Sequence, residues 1–162
     1  MSYLIDGNNL MGRLHDIDPE APDARMQLLR WLAAFRNQPG HKARRVTVVF
    51  DGAPEPLFPE GSVFQGVQII YSLPNSTADA RIKQRVEQQR DRRGLTVVTS
   101  DRELYNYVRS CGAQVITCEQ FAERVWTALA STDSAEKEDV QLNAQDIDQW
   151  MRYFGIEEQD NT

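Results

Sequence analysis

Tyr3-Leu4-Ile5-Asp6-Gly7 begins with three apolar residues that run straight into an aspartate and a glycine. The run is too short for a helix and reads as a strand ending at Asp6. The same figure returns at Val46-Thr47-Val48-Val49-Phe50-Asp51-Gly52 and at Leu95-Thr96-Val97-Val98-Thr99-Ser100-Asp101. Val67-Gln68-Ile69-Ile70-Tyr71 and residues 114–117 read as two more strands, without that ending. These runs are continuous rather than alternating. Strands buried on both faces of a parallel sheet have that character.

The segments between them carry helical spacing. Leu28, Leu32 and Phe35 share a face over residues 24–38, and Pro39-Gly40 closes the helix. Ala78, Ile82 and Val86 do the same over residues 76–93, with Gly94 placed as the C′ residue. Leu104, Tyr107 and Val108 support a helix ending at Cys111-Gly112, and residues 119–130 support another. Residues 8–14 read as a helical turn. Residues 53–66, with three prolines and two glycines, read as a long loop. Strands alternating with helices predict a three-layer α/β fold: a central parallel sheet of about five strands with helices on both faces.

The 162 residues are 41% hydrophobic and 26% charged, which is ordinary for a globular protein. No apolar run is long enough to span a bilayer, and the first residues lack a basic leader, so a cytoplasmic protein is expected. Cys111 and Cys118 are too few for a disulfide scaffold or a cysteine-built zinc site. The net charge of -6 is unevenly spread. Residues 1–130 hold 16 Lys+Arg and 15 Asp+Glu, whereas residues 131–162 hold 2 and 9. This divides the chain into a near-neutral domain, 1–130, and an acidic tail, 131–162. The tail reads as a polar linker followed by a helix over 143–154, with Asn143 as N-cap and Ile147, Trp150, Met151 and Phe154 on one face. An acidic total argues against broad electrostatic binding of nucleic acid but leaves room for a local site on the body.

In an open α/β sheet, ligands bind outside the carboxyl ends of the strands. Asp6, Asp51 and Asp101 would all stand at that edge. Asp79, in the first turn of the helix after the Val67–Tyr71 run, starts from it too. Taken singly, each has a structural reading: Asp6 and Asp51 as turn residues, Asp79 in the Ser76-x-x-Asp79 capping box, and Glu103 in Ser100-x-x-Glu103. Converging carboxylates, however, repel one another unless protons or a cation compensate. Hard oxygen donors suit Mg2+ or Mn2+, which activate water and stabilise leaving oxygens in phosphodiester hydrolysis.

The segment Leu4-Ile5-Asp6-Gly7-Asn8-Asn9-Leu10-Met11-Gly12 resembles the D-G-x-N opening of NYN domains, particularly the YacP-like branch of the PIN-like nuclease group. Val48-Val49-Phe50-Asp51-Gly52, Thr77-Ala78-Asp79-Ala80-Arg81-Ile82 and Val97-Val98-Thr99-Ser100-Asp101 follow in the order of that family's later motifs. The resemblance covers about residues 3–130. It implies a PIN-like fold and divalent-metal-dependent endonucleolytic cleavage of RNA. Asp6, Asp51, Asp79 and Asp101 would be the acidic positions, and Asn9 the asparagine of D-G-x-N. Two positions depart from the pattern: Ala80 replaces an acid, and Lys83 stands where an acid is common.

On this reading Asp6, Asp79 and Asp101 hold the Mg2+ or Mn2+, and Asp51 adds a ligand or orients a water. Asn9 orients Asp6 or touches substrate, with a turn cap as its structural alternative. Ser100 serves a phosphate, a carboxylate or the helix N-cap. Arg13, Arg81, Lys83 and Arg102 are the candidate phosphate contacts, with Arg109 beside them. Phe58 and Phe64 either stack on unpaired bases or pack their loop. His15 reads as a surface residue, the cysteines as buried thiols, and Trp31 and Trp126 as core. His41-Lys42-Ala43-Arg44-Arg45 falls at the opposite sheet edge and receives no catalytic role.

The expected partner is RNA, single-stranded or messenger, with the ribosome as a further candidate and no membrane. The competing function is a binding module of the same fold that has lost cleavage, favoured by Ala80 and Lys83. A haloacid-dehalogenase-type phosphatase needs D-x-D where this chain has Asp6-Gly7-Asn8. A dinucleotide-binding enzyme needs a G-x-G-x-x-G that does not follow the first strand.

Overall fold

A computed structural model describes residues 1–39 and 44–136, with the side chains of 131–136 excepted. The elements in order are β1 (Ser2–Asp6), α1 (Gly7–Met11), α2 (Ala24–Arg36), β2 (Arg45–Phe50), β3 (Val63–Phe64), β4 (Val67–Tyr71), α3 (Ala78–Gln88), β5 (Leu95–Val98), α4 (Arg102–Ser110), β6 (Gln114–Ile116) and α5 (Cys118–Glu136). The sheet has six strands in the order β3-β4-β2-β1-β5-β6. All neighbours pair in parallel except β3 and β4.

Side chains leave a strand alternately on its two faces, and here both faces are dry. Tyr3 and Ile5 of β1 join Val46, Val48 and Phe50 of β2 under α1, α2 and α5. Leu4 and Val49 point the other way and pack with Ile82 and Val86 of α3 and Leu104 and Val108 of α4. The first layer mixes aliphatic and aromatic side chains and the second is aliphatic, and each large buried side chain contributes about 1.5–3 kcal/mol. Gly7 lets α1 sit directly on β2: a Cβ there would come within 2.8 Å of the Phe50 ring.

Chain order fixes where the sheet opens. From β1 the chain moves outward through β2 to β4, then returns to β5 on the other side of β1 and goes on to β6. The direction therefore reverses between β1 and β5, and the carboxyl ends of these two strands form the crevice at which α/β sheets bind ligands.

Four expectations are corrected. The long loop over 53–66 holds β3, joined to β4 by the two-residue turn Gln65-Gly66 with φ of 48° and 93°. Two positive φ values define the hairpin turn that suits twisted strands, and a glycine supplies the second at no steric cost. The helix expected to reach residue 93 ends at Gln88, and the Gly94 N–H instead donates to Asp91 Oδ1. The N-caps are Thr77 and Asp101, each one residue past the serine of its expected capping box. The last helix of the body runs on to Glu136 rather than stopping at 130. The helix expected over 143–154 lies outside the described residues. Among the described residues no helix is long and apolar enough to cross a membrane.

Candidate active site

Asp6 ends β1 at the crevice and is only 9% exposed. Its Oδ2 accepts a 3.1 Å hydrogen bond from the Thr99 hydroxyl, and the same hydroxyl accepts one from the Asp101 N–H, also at 3.1 Å. Thr99 thus stitches the ends of β1 and β5 together between two of the predicted carboxylates. Burial pushes the Asp6 carboxyl up from 3.8 to about 6. The Thr99 hydroxyl and the Asn9 backbone pull it down, while the negative charges of Asp79 and Asp101 push it up again. Asp6 thus feels the charge of two other predicted aspartates, Asp79 and Asp101.

Each of the other acids also has a structural task. Asp101 is the N-cap of α4, its Oδ1 accepting from the Leu104 N–H at 3.1 Å. Asp79 lies in the first turn of α3 and forms an ion pair with Lys83, Nζ to Oδ2 at 3.4 Å. Lys83 also stands 5.0 Å from the Tyr107 ring centroid. Asp51 Oδ1 accepts from the Ala78 N–H at 3.0 Å and so pins the start of α3, which carries Asp79. Its own N–H donates to Asn8 Oδ1 at 2.8 Å, and its carbonyl accepts from Arg25. Among the described residues no three of His, Cys, Asp or Glu stand at spacing that would cage a metal ion. The donor set is hard, anionic and open. That fits an ion keeping several of its waters, as Mg2+ does, rather than a closed protein cage.

Asn9 Oδ1 is engaged by the fold. It accepts from the Ser100 N–H at 2.7 Å and from Cys118 Sγ at 3.1 Å. Ser100 is not the cap of α4: its hydroxyl donates to Glu119 Oε1 at 2.8 Å and accepts from the Cys118 N–H. Glu119 in turn holds Arg13 at 2.8 Å. Partial burial works against the Glu119 charge, but Ser100, its own backbone and Arg13 outweigh that and hold its carboxyl below the ordinary value. Burial pushes the Cys118 thiol up to about 12, so it is a packed, unreactive group.

Glu119, Thr99 and Asn8 were not legible as site residues. Thr99 sits inside a motif whose visible feature is Asp101, and Glu119 follows the shortest parallel strand with no motif of its own. The phosphate candidates divide. Arg81 is committed to the Tyr71 carbonyl at 2.6 Å and to Glu60 at 2.9 Å. Arg13 and Lys83 are paired as above. Arg102 is exposed at the start of α4 beside a cavity of about 310 Å3 that Ser100 and Tyr105 also line. Arg109 lies in the last turn of α4, away from the crevice. Phe58 and Phe64 meet edge to face at 5.9 Å and pack on the core, so they brace the loop. A larger cleft of about 740 Å3 adjoins Asp51, walled by Pro54, Ser72, Leu73, Pro74 and Asn75.

A six-stranded, mostly parallel α/β sheet that opens between β1 and β5 is the architecture expected of the PIN-like class. The sequence model of the YacP-like NYN domain matches residues 3–153, and the chain belongs to that family. The family is nuclease-like, which supports a hydrolase acting on RNA. Two crystal structures share the fold: Rae1 (YacP) from Bacillus subtilis and its W164L mutant. Each is 24% identical with a TM-score of 0.66, covering 83% of this chain and 79% of the other. No curated protein sequence matches the chain.

Proposed function

We propose that the protein is a divalent-metal-dependent endoribonuclease, with Asp6, Asp79 and Asp101 holding Mg2+ or Mn2+ at the β1/β5 crevice. The observation that carries this reading is the geometry at the strand ends: Asp6 is buried at the end of β1 and joined through the Thr99 hydroxyl to Asp101, with Asp79 near enough to add its charge, and buried carboxylates so placed cost free energy until a cation relieves them. When bound, the ion supplies an activated water and charge neutralisation for in-line phosphodiester hydrolysis. The chain's own residues prepare the place. Thr99 fixes the Asp6 carboxylate, Asp101 is fixed by capping α4, and Asp51 fixes the start of α3 and with it Asp79. Arg102, exposed and without an ion pair among the described residues, offers its guanidinium to a flanking phosphate. The apolar cleft beside Asp51 accepts an unstacked base. The substrate is RNA, messenger or single-stranded, met in the cytoplasm and on the ribosome if cleavage accompanies translation.

One observation favours a second reading, a non-cleaving RNA- or ribosome-binding module. Lys83 neutralises Asp79 within one helical turn and weakens the field that attracts a cation. Incubation of single-stranded and structured RNA with Mn2+ decides between them. Wild type cuts, and Asp6→Asn and Asp101→Asn each lose about 100-fold or more of the rate. Full activity in both variants removes the metal assignment, and no cleavage by wild type favours the binding module.

A further inference from the structure

At the carboxylate edge, three of the cations expected to meet phosphate are already paired: Arg13 with Glu119, Arg81 with Glu60 and Lys83 with Asp79. The opposite edge differs. Where β1, β2, β4 and β5 begin, a cleft of about 590 Å3 is lined by Arg36, Arg44, Arg45 and Arg85, and no aspartate or glutamate lines it. Among the described residues none of the four forms an ion pair. Neutral groups hold two of them in place. Arg36 donates from Nε to the Arg44 carbonyl at 3.2 Å and from a terminal nitrogen to Asn37 Oδ1 at 2.8 Å. Arg44 donates to the Phe35 carbonyl at 2.7 Å and lies 3.9 Å over the Phe35 ring. Burial lowers the Arg44 pKa, the Tyr3 phenol works against that, and the like charge of Arg124 lowers it further.

Helix ends give the bland account of this cluster. Arg36 and Arg85 lie in the last turns of α2 and α3. A helix C-terminus carries about half a negative charge, so two of them offset about one of the four guanidinium charges. About three remain. The acids that follow Arg85 in sequence face elsewhere, Glu87 toward the Tyr107 hydroxyl and Asp91 toward the Gly94 N–H, and Asp51 and Asp79 are engaged at the opposite edge. Preset planar guanidinium groups suit phosphate, which they bind through paired N–H donors.

We propose that this arginine cleft is a second RNA contact, gripping the phosphate backbone of a strand whose scissile bond lies at the carboxylate edge. It rests on the nuclease reading for its ligand. The five residues of β1, at about 3.3 Å each, put the two edges about 17 Å apart, so only an RNA of several nucleotides engages both. Affinity then comes mainly from the arginine edge, and the acidic edge is left to cleavage.

The test is the affinity of the full chain, without divalent ions, for fluorescent single-stranded RNAs of about 20 and about 4 nucleotides. Arg45 is exposed, and Arg85 is half-buried like Arg36 and Arg44 but, among the described residues, lacks the side-chain hydrogen bonds that hold those two. The double variant Arg45→Ala, Arg85→Ala is expected to weaken binding of the long RNA about 10-fold and lower its salt slope by about 1.4, while the short RNA is unaffected. Lysine at both positions restores the slope. Wild-type affinity and slope for the long RNA in the alanine variant overturn the proposal. Wild-type RNA binding combined with faster proteolysis of residues 137–162 also overturns it, and identifies the acidic tail as the occupant. Cleavage with Mn2+ is scored separately: if wild type never cuts but the alanine variant loses affinity, the nuclease reading fails and the cleft stands.

Discussion

At Asp6, fold and chemistry pull in opposite directions. The strand places a carboxylate where water is scarce and two other acids face it, raising its pKa from 3.8 to about 6. The folded state therefore binds the proton more tightly than the unfolded chain. Its contribution is fully present below about 3.8 and is lost as pH rises toward 6, a shift equivalent to about 3 kcal/mol. In metal-free buffer, Asp6→Asn is expected to melt above wild type at pH 7 and with it at pH 4, read by thermal unfolding. A lower melting temperature for the variant at pH 7 would refute the desolvation argument. Mn2+ affinity should tighten as pH rises toward about 6 and level off above it, because the ion competes with the Asp6 proton; affinity flat between about pH 4 and 7 would contradict this. At this scale the sequence was half legible. Asp6 showed itself by ending an apolar run. Its electrostatic state did not, because that depends on Thr99, Asp79 and Asp101, which only the folded sheet brings near.

At the scale of elements, Asp101 both caps α4 and faces Asp6, and substitution separates the two roles. Asparagine is as good an N-cap as aspartate, whereas alanine loses about 1 kcal/mol. Asp101→Asn is therefore expected to keep the wild-type denaturation midpoint and lose cleavage, while Asp101→Ala loses both. Loss of stability by the asparagine variant would contradict the cap assignment. Strands and helices were readable from apolar runs and spacing, but their ends were less so. Ser76 and Ser100 each fit a capping box, yet Thr77 and Asp101 hold the extended backbone at the helix entrance and the bonds to Ala80 and Leu104. A single residue's offset is invisible when two good caps adjoin. The β3–β4 hairpin was hidden for a similar reason: Gln65-Gly66 is not among the strong turn pairs, and β3 has only two residues.

Over the whole molecule, charge is sorted by sheet edge: carboxylates where strands end and arginines where they begin. That sorting follows from strand order, which places β5 beside β1 and brings together acids that stand 22 to 95 positions apart in the chain. A chain reading finds the aspartates and the lysine one helical turn from Asp79, but not the pairing of Arg13 and Arg81, since Glu119 and Glu60 approach only through the fold. Linkage gives the global prediction. Mn2+ at about a hundredfold its Kd is expected to stabilise the wild-type protein by about 2.7 kcal/mol, and the Asp6→Asn variant by far less, measured by thermal unfolding. Equal stabilisation of both would place the ion elsewhere.

The most direct measurement is the anomalous diffraction of Mn2+ in crystals of the wild-type protein. The account predicts a peak in the β1/β5 crevice, within direct or one-water reach of Asp6, Asp79 and Asp101. Well-diffracting soaked crystals with no peak there, or with manganese bound only elsewhere, would contradict it.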